Sequence, residues 1–293
     1  MKGQKEPVLA VKELCVSFTM YDRGLNRREF EMVHQLSLTV NAGEIVAVAG
    51  SSGSGKSLLA HGILGILPEN AKVTGTMEFC GRRLEEASLK KLRGREIAFI
   101  PQSVKYLDPL MKVGRQVIGP CSRAEKKERQ EKLKQVFARY QLEESVANLY
   151  PYQLSGGMAR RVLISGAVMK PAKLIVADEP TPGLQESLAR ETLCNFRELA
   201  QEGCGVLLIT HDIDLALQMA DRIAIFYDGK ILETVPAAAF SGDGRALAHP
   251  YSRAFLRALP QNEFAAEQPG IYRLLRVLPN HLNGTITSPF QRP

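Results

Sequence analysis

The sequence has no apolar run that approaches the roughly 20 residues needed to cross a bilayer. Its first residues, 1–7, lack the apolar segment of a secretory signal, so we expect a cytoplasmic protein. No two cysteines show C-x-x-C spacing, and this predicts neither a disulfide framework nor a zinc site. The cysteines are Cys15, Cys80, Cys121, Cys194 and Cys204.

The chain carries an excess of basic residues, with a formal charge of +7 over 293 residues. A charge of this sign could serve nucleic acid or an anionic membrane surface. However, the most concentrated basic run, residues 123–134, alternates glutamates with its lysines and arginines. That pattern is typical of a solvated helix face with i,i+4 pairs. We therefore expect no specific contact with nucleic acid.

One segment matches the phosphate-binding loop pattern G-x-x-x-x-G-K-[ST]. Its glycines allow backbone N–H groups to converge on phosphate oxygens, Lys56 can reach the terminal phosphates, and the Ser57 hydroxyl can bind Mg²⁺. The apolar run 44–49 predicts a buried strand before the loop, and residues 58–67 predict a helix after it, ended by the next proline. The predicted nucleotide-binding residues are Gly50, Ser51, Ser52, Gly53, Ser54, Gly55, Lys56 and Ser57.

Two carboxylates, Asp178 and Glu179, follow the apolar run 174–177, which predicts a strand buried on both faces. The carboxyl end of such a strand is where an α/β sheet places catalytic groups. Asp178 can hold Mg²⁺ through water, and Glu179 can polarise the attacking water. Taken alone, the pair could equally be a polar cap before a turn; a phosphate loop in the same chain favours the catalytic interpretation.

The pattern along the chain predicts an α/β protein with two additional parts. Short strands at 8–16 and 32–40 suggest a small antiparallel β subdomain, which continues through 72–100 with turns at Gly75 and Gly81. Residues from about 103 to 169 are predicted to be helical. Further strands are predicted at 206–210, and at 223–226 and 231–234 around an Asp-Gly hairpin turn.

A second motif follows the phosphate loop at a distance: Leu154, Ser155, Gly156, Gly157 and Met158. It resembles the signature sequence of ATP-binding-cassette (ABC) ATPases. A serine and two glycines at a helix start can present N–H groups and a hydroxyl to a γ-phosphate. In that family, the phosphate belongs to a nucleotide held by the opposing subunit.

The resemblance implies a phosphate-loop (RecA-like) ABC nucleotide-binding domain over residues 1–235. This domain would contain an antiparallel β subdomain and a helical subdomain at about 103–169, and a short C-terminal extension would occupy 236–293. The family's glutamine that touches Mg²⁺ and water corresponds to Gln102, and its switch histidine to His211. The adenine is expected to stack on Tyr21, with Phe18 as the reserve and a core role equally open for Phe18. The implied catalytic residues are Glu179, His211 and Gln102, and the implied Mg²⁺ ligands are Ser57, Gln102 and Asp178.

Four segments narrow the resemblance to the ATPases of oligopeptide, dipeptide and nickel importers: residues 102–110, 113–116, 150–153 and 249–260. The resemblance implies a peripheral subunit at the cytoplasmic face of the inner membrane. ATP hydrolysis there would power import of peptides, nickel or a metallophore. The implied partners are two transmembrane permeases, a second ABC ATPase (identical or different) and, indirectly, an extracytoplasmic binding protein. The alternatives are a soluble ABC ATPase that acts on nucleic acid or the ribosome, and an exporter subunit.

Three features of the sequence depart from the family pattern. No cysteine lies beyond Cys204, so we expect no iron–sulfur cluster. Gln185 replaces the aspartate that is usual in the loop after the catalytic glutamate, which predicts altered communication between the two sites of a dimer. Arg160 replaces a glutamine after the signature and is expected to add a charge near the partner's nucleotide. We still expect hydrolysis at this chain's own site.

Overall fold

The computed structural model describes residues 7–21, 27–51, 53–240 and 245–257. The chain divides into two compact units, residues 1–241 and 242–293. In the second unit, the described residues contain one helix, α8 (Pro250–Arg257). Among the described residues, no helix is both long and apolar enough to cross a membrane.

The first unit contains two sheets and seven helices among the residues described. The strands are β1 (Pro7–Tyr21), β2 (Arg27–Asn41), β3 (Ile45–Ala49), β4 (Ala71–Phe79), β5 (Arg82–Arg83), β6 (Ile97–Ile100), β7 (Leu174–Asp178), β8 (Gly205–Thr210), β9 (Arg222–Tyr227) and β10 (Lys230–Pro236). The helices are α1 (Lys56–Leu64), α2 (Glu86–Leu92), α3 (Val113–Ile118), α4 (Lys126–Arg139), α5 (Gly156–Val168), α6 (Glu186–Gln201) and α7 (Ile213–Met219).

The first sheet is antiparallel, with the order β2-β1-β4-β5. Its two long strands lie where the sequence predicts strands, but each extends well beyond the predicted bounds, because they continue pairing as a ribbon whose outer part is exposed. The turn predicted at Gly75 is wrong. Gly75 lies inside β4 with φ +100°, opposite the extra residue of a bulge in β1, and a Cβ there would come 2.5 Å from the Glu13 carbonyl oxygen.

The second sheet has the order β10-β9-β3-β8-β7-β6, and its strands are parallel except for β10. Strands β3, β7 and β8 are buried at every residue, as their continuous apolar runs predict. The predicted hairpin between β9 and β10 is also present: Asp228 and Gly229 have φ +46° and +74°, which matches the turn that Asp-Gly favours.

The helix after the phosphate loop is shorter than predicted and shifted towards the loop. It begins at Lys56 and ends at Leu64, because Gly65 adopts a left-handed conformation and closes the helix before the proline is reached. The sequence analysis did not predict helix α2, which lies in a region predicted to be β-rich. Its start is fixed by local hydrogen bonds between Glu85 and Ser88.

The helical part has an apolar core of its own, separate from the core around the sheets. Helices α3, α4 and α5 contribute to it, with Val113, Phe137 and Val162 completely buried. Helix α4 carries the basic run and buries only Leu133 and Phe137, while Arg129 and Glu125 form an i,i+4 ion pair at 3.0 Å. The run is therefore mainly a solvated helix face, as its alternating charges predict.

Candidate nucleotide-binding site

The parallel sheet brings the predicted site residues to one edge. The phosphate loop follows β3, Asp178 ends β7, His211 follows β8, and Gln102 lies two residues beyond β6. These four strands are adjacent and parallel, so their carboxyl ends meet at the same edge. A crevice at this edge is the usual ligand site of an open α/β sheet.

The loop needs its glycines. A Cβ on Gly50 would lie 2.2 Å from the Phe226 carbonyl oxygen, and Gly53 and Gly55 have φ values of +76° and +100°. A residue with a side chain would clash at the first position and would be strained at the other two. The loop then leads directly into the N-terminus of α1, where backbone N–H groups favour an anion. Ser52, one of the predicted binding residues, lies outside the described residues.

Lys56 is buried inside this loop, with 5% of its surface exposed. Its Nζ donates to the carbonyl oxygens of Gly50 at 2.9 Å and Ser51 at 2.7 Å. Burial lowers the pKa of the Lys56 ammonium, and the carboxylates of Glu179 and Asp178 partly oppose that shift. The positive charge is therefore placed between the loop and the two carboxylates.

Asp178 is 1% exposed, and its Oδ1 has no hydrogen-bond partner in the described part of the chain. Burial raises the pKa of its carboxyl group to about 6, and a hydrogen bond from the Ser57 hydroxyl is the largest opposing effect. A buried carboxylate beside a hydroxyl, with one oxygen free, suits a hard cation such as Mg²⁺, which prefers oxygen ligands. The residues present therefore fit the predicted metal.

Glu179 is 5% exposed and is held in a left-handed backbone conformation, φ +48°. Its N–H donates to the Ile209 carbonyl oxygen at 2.9 Å. Its Oε1 accepts from the backbone N–H of His211 at 2.9 Å and from His211 Nδ1 at 2.7 Å. Its Oε2 is buried and has no partner among the described residues. One oxygen is thus fixed by His211, and the other remains available to a ligand.

The Glu179–His211 contact joins two residues that the sequence suggests separately but does not pair. The left-handed backbone of Glu179 is strained for a residue other than glycine, and such strain persists only where the surrounding structure holds it. Residues of this kind cluster at functional sites. The His211 side chain is 52% exposed, so the ring extends from the buried carboxylate to the surface.

Gln102 is exposed, and the backbone of the loop that carries it is hydrogen-bonded to Arg160. Its carbonyl oxygen accepts from the Arg160 guanidinium, and the Pro101 carbonyl oxygen accepts from the same group at 2.6 Å. Arg160 is 6% exposed. The expectation that its charge lies near a partner's nucleotide is therefore wrong, because the side chain points into its own subunit.

The predicted signature lies at the start of α5. The Ser155 hydroxyl caps this helix by accepting from the Met158 N–H at 3.2 Å, and both Ser155 and Gly156 are exposed. Leu154, Gly157 and Met158 are partly buried. A capped helix N-terminus at the surface can meet an anion that another molecule carries.

Of the two aromatic candidates for adenine, Tyr21 ends β1, but its side chain is outside the described residues. Phe18 is partly buried and packs against the main core. This contact agrees with the core role that the sequence left open for Phe18.

A parallel sheet with a glycine-rich loop and a buried lysine at its carboxyl edge defines a phosphate-loop nucleotide-binding protein. Residues 33–182 match the family model described as ABC transporter. The chain belongs to the ABC transporter family, and it is an ATPase of that family, as predicted.

Similarity extends over most of the chain. It is 34% identical to the dipeptide transport ATP-binding protein DppD of Escherichia coli (strain K12), over 96% of this chain and 88% of that protein. It is 31% identical to the oligopeptide transport ATP-binding protein OppD of the same organism, over 90% and 79%. The dimeric structure of MJ0796, a bacterial ABC transporter cassette, superposes with a TM-score of 0.66 and 28% identity, over 78% and 98%. These findings confirm the predicted family and fold class.

Proposed function

We propose that this chain is the ATP-hydrolysing subunit of an importer and that the imported substrate is a peptide. Similarity to a dipeptide and an oligopeptide transport ATP-binding protein over most of the chain supports the substrate class. The observation that carries the hydrolytic part is the Glu179–His211 contact at the sheet edge that also holds the phosphate loop. The soluble nucleic-acid or ribosome ATPase and the exporter are the less favoured alternatives.

In this proposal, the backbone N–H groups of residues 50–57 and the Lys56 ammonium bind the phosphates of ATP. Lys56 exchanges its two carbonyl partners for phosphate oxygens, a stronger interaction because both partners are charged. Ser57, Asp178 and Gln102 would hold Mg²⁺, which neutralises phosphate charge when bound. Tyr21 remains the proposed adenine contact. We propose no iron–sulfur cluster.

Glu179 acts as the general base. With Oε1 held by His211, its free Oε2 accepts a proton from the attacking water. His211 Nδ1 donates to the carboxylate, and we propose that the other ring nitrogen faces the γ-phosphate. Phosphoryl transfer depends mainly on positioning and electrostatics, so Lys56, bound Mg²⁺ and the signature of the second subunit would supply most of the catalysis.

The proposed second site lies across a dimer. The exposed signature, residues 154–158, would contact the nucleotide held by a second ABC ATPase subunit. Binding of ATP then closes the pair, hydrolysis reopens it, and the difference in affinity between the two states drives the permeases. The chain would act at the cytoplasmic face of the membrane. The boundaries at 1–235 and 236–293, with the helical part at about 103–169, remain predictions.

A groove beside the Gln102 loop is the proposed docking surface for the permeases. Eight apolar residues line part of it, and Arg95 and Lys170 also contribute to its lining. Burial lowers the pKa of the Lys170 ammonium, as do the charges of Arg129 and Arg95, so a partner carboxylate would favour its charged form. Leu110, three residues after a groove residue, is 87% exposed. The apolar lining residues are Ala98, Phe99, Tyr106, Leu107, Val117, Val162, Leu163 and Ala167.

We expect Leu110→Glu to reduce recovery of permeases with the tagged chain by about 10-fold, because a charged side chain must be desolvated at an apolar contact. The measurement is quantitative mass spectrometry after extraction from membranes. Val73→Glu, at a half-exposed position on the antiparallel sheet, is the matched control and should leave recovery unchanged. Equal recovery with both variants would exclude Leu110 from the interface.

The departure at Gln185 has a separate consequence for stability. Gln185 is the N-cap of α6 and makes no capping hydrogen bond with its side chain. Aspartate is among the best N-cap residues, so Gln185→Asp should stabilise the protein by about 1 kcal/mol and raise Tm by about 2–4 °C. Differential scanning calorimetry would measure the shift. Gln185→Asn should raise Tm as well, and no rise in either variant would show that the cap is satisfied in another way.

The test of the proposed function uses tagged Glu179→Gln protein with ATP, extracted in detergent from membranes and analysed by mass spectrometry. Two multi-span permeases and a second ABC ATPase should be recovered. The peptide specificity of the associated binding protein, measured separately, would then identify the substrate. Recovery with ribosomes or nucleic acid and without a permease would refute the transport role while leaving the ATPase activity in place.

A further inference from the structure

One buried residue of α5 carries a full charge. Arg160 is 6% exposed, and the other buried residues of this helix are apolar or small: Ala159, Val162, Ile164, Ser165 and Ala167. A buried cation usually pairs with a carboxylate. Within the described ranges, no carboxylate oxygen forms an ion pair with Arg160, so its placement requires another explanation.

The partners of the guanidinium are two consecutive carbonyl groups. One terminal nitrogen donates to the Pro101 oxygen at 2.6 Å, and the other donates to the Gln102 oxygen. A planar guanidinium that donates through two nitrogens fixes direction as well as distance. Two hydrogen bonds from one side chain thus join helix α5 to the Gln102 loop, which is almost 60 residues away in sequence.

The contact lies beside the carboxylates of the candidate site. Burial lowers the pKa of the Arg160 guanidinium, and the negative charges of Asp178 and Glu179 partly oppose that shift. Three buried atoms at these residues have no partner in the part of the chain that the structure describes: Arg160 Nε, Asp178 Oδ1 and Glu179 Oε2. The arginine is therefore held by two backbone carbonyls, and the two carboxylates attract its charge.

The anchoring of α5 itself does not depend on this contact. Ala159 and Val162 pack in the apolar core of the helical part, and Ser155 caps the N-terminus of the helix. Removal of the Arg160 side chain should therefore leave the helix in place and release the loop, since the two carbonyl groups would lose their donor.

We propose that Arg160 is a positioning residue that fixes the backbone of Gln102 to the helix carrying the signature. The inference rests on the proposed function, in which Gln102 would help to hold Mg²⁺. The same link makes the Gln102 loop move with the N-terminus of α5. A displacement at the partner's nucleotide is thereby transmitted to this chain's own site.

The test compares Arg160→Ala, Arg160→Lys and Arg160→Gln in the full chain. Hydrogen exchange of peptides covering 103–107 and steady-state ATP hydrolysis are measured for each. Two hydrogen bonds from a charged donor are lost in Arg160→Ala, so exchange should be about 10-fold faster and kcat about 10-fold lower, with KM within about twofold. Lysine and glutamine each retain a single donor nitrogen and should recover part of both losses.

Arg129→Ala is the matched control. Arg129 also donates to two backbone carbonyls, those of Ile118 and Pro120, but within the helical part alone. It should leave exchange of 103–107 and kcat unchanged. Unchanged exchange in all three Arg160 variants would overturn the proposal, as would faster exchange without a fall in kcat. If the wild-type chain hydrolyses no ATP, the proposed function fails, and the exchange result still decides whether Arg160 holds the loop.

Discussion

Glu179→Gln is expected to lower ATP turnover by about 100-fold or more, because a general base contributes at least about that factor to the rate. We expect ATP affinity to stay within about threefold of wild type. The side-chain oxygen of glutamine can still accept from the two N–H donors of His211. The substitution therefore preserves the local hydrogen bonds and removes the negative charge and the basic oxygen. Turnover at saturating ATP and binding of a fluorescent nucleotide would measure the two effects separately.

The control for this variant is Glu202→Gln, the same chemical change at an exposed position just after α6. It should match the wild type in both measurements. Turnover of Glu179→Gln within about threefold of wild type would contradict the assignment of Glu179 as the base, since a positioned base contributes about 100-fold or more. A loss of ATP binding would indicate instead that the charge balance around Lys56 has been disturbed.

Lys56→Ala is expected to weaken nucleotide binding itself, by about 10- to 100-fold, because it removes a charged hydrogen-bond donor to phosphate. The lysine is positioned for this role by burial, which keeps its Nζ inside the loop rather than in solvent. Equilibrium titration with ATP and Mg²⁺ would measure the change in Kd. Since adenine contacts remain, binding should be reduced and not abolished.

Lys173→Ala is a matched control for the loss of a lysine. Lys173 immediately precedes β7, at the edge of the sheet opposite to the phosphate loop, and pairs with Glu96 at 2.7 Å. It should bind ATP as the wild type does. Normal affinity in Lys56→Ala would argue against binding of phosphate by this loop. Circular dichroism of both variants would detect unfolding, which would also lower affinity.

Much of the site could be predicted because its motifs are short and contiguous. The loop at 50–57, the carboxylates after β7 and the histidine after β8 each lie within a few residues of a buried apolar run. Parallel strands then bring their carboxyl ends to one edge. The structure places these groups at that edge, so sequence order and strand direction were sufficient to predict which ones meet there.

Other features depend on segments that are far apart in the chain. Position 160 is in a predicted helix, but whether its side chain points outwards or inwards depends on how α5 packs against the Gln102 loop. Gly75 suggests a turn by composition, yet its close approach to Glu13 shows that pairing with β1 makes it part of a bulge. Helix α2 was missed because it is short and follows a run of β-type residues.

The family, the phosphate loop and the candidate catalytic residues could be predicted from the sequence, because each depends on local spacing and on residue type. Three features became visible only in the folded protein: His211 holds Glu179, the buried Asp178 carboxyl group has one oxygen without a partner among the described residues, and Arg160 joins the Gln102 loop. These features depend on burial and on contacts between residues 30 or more positions apart. Only the packing of the sheet and helices determines them.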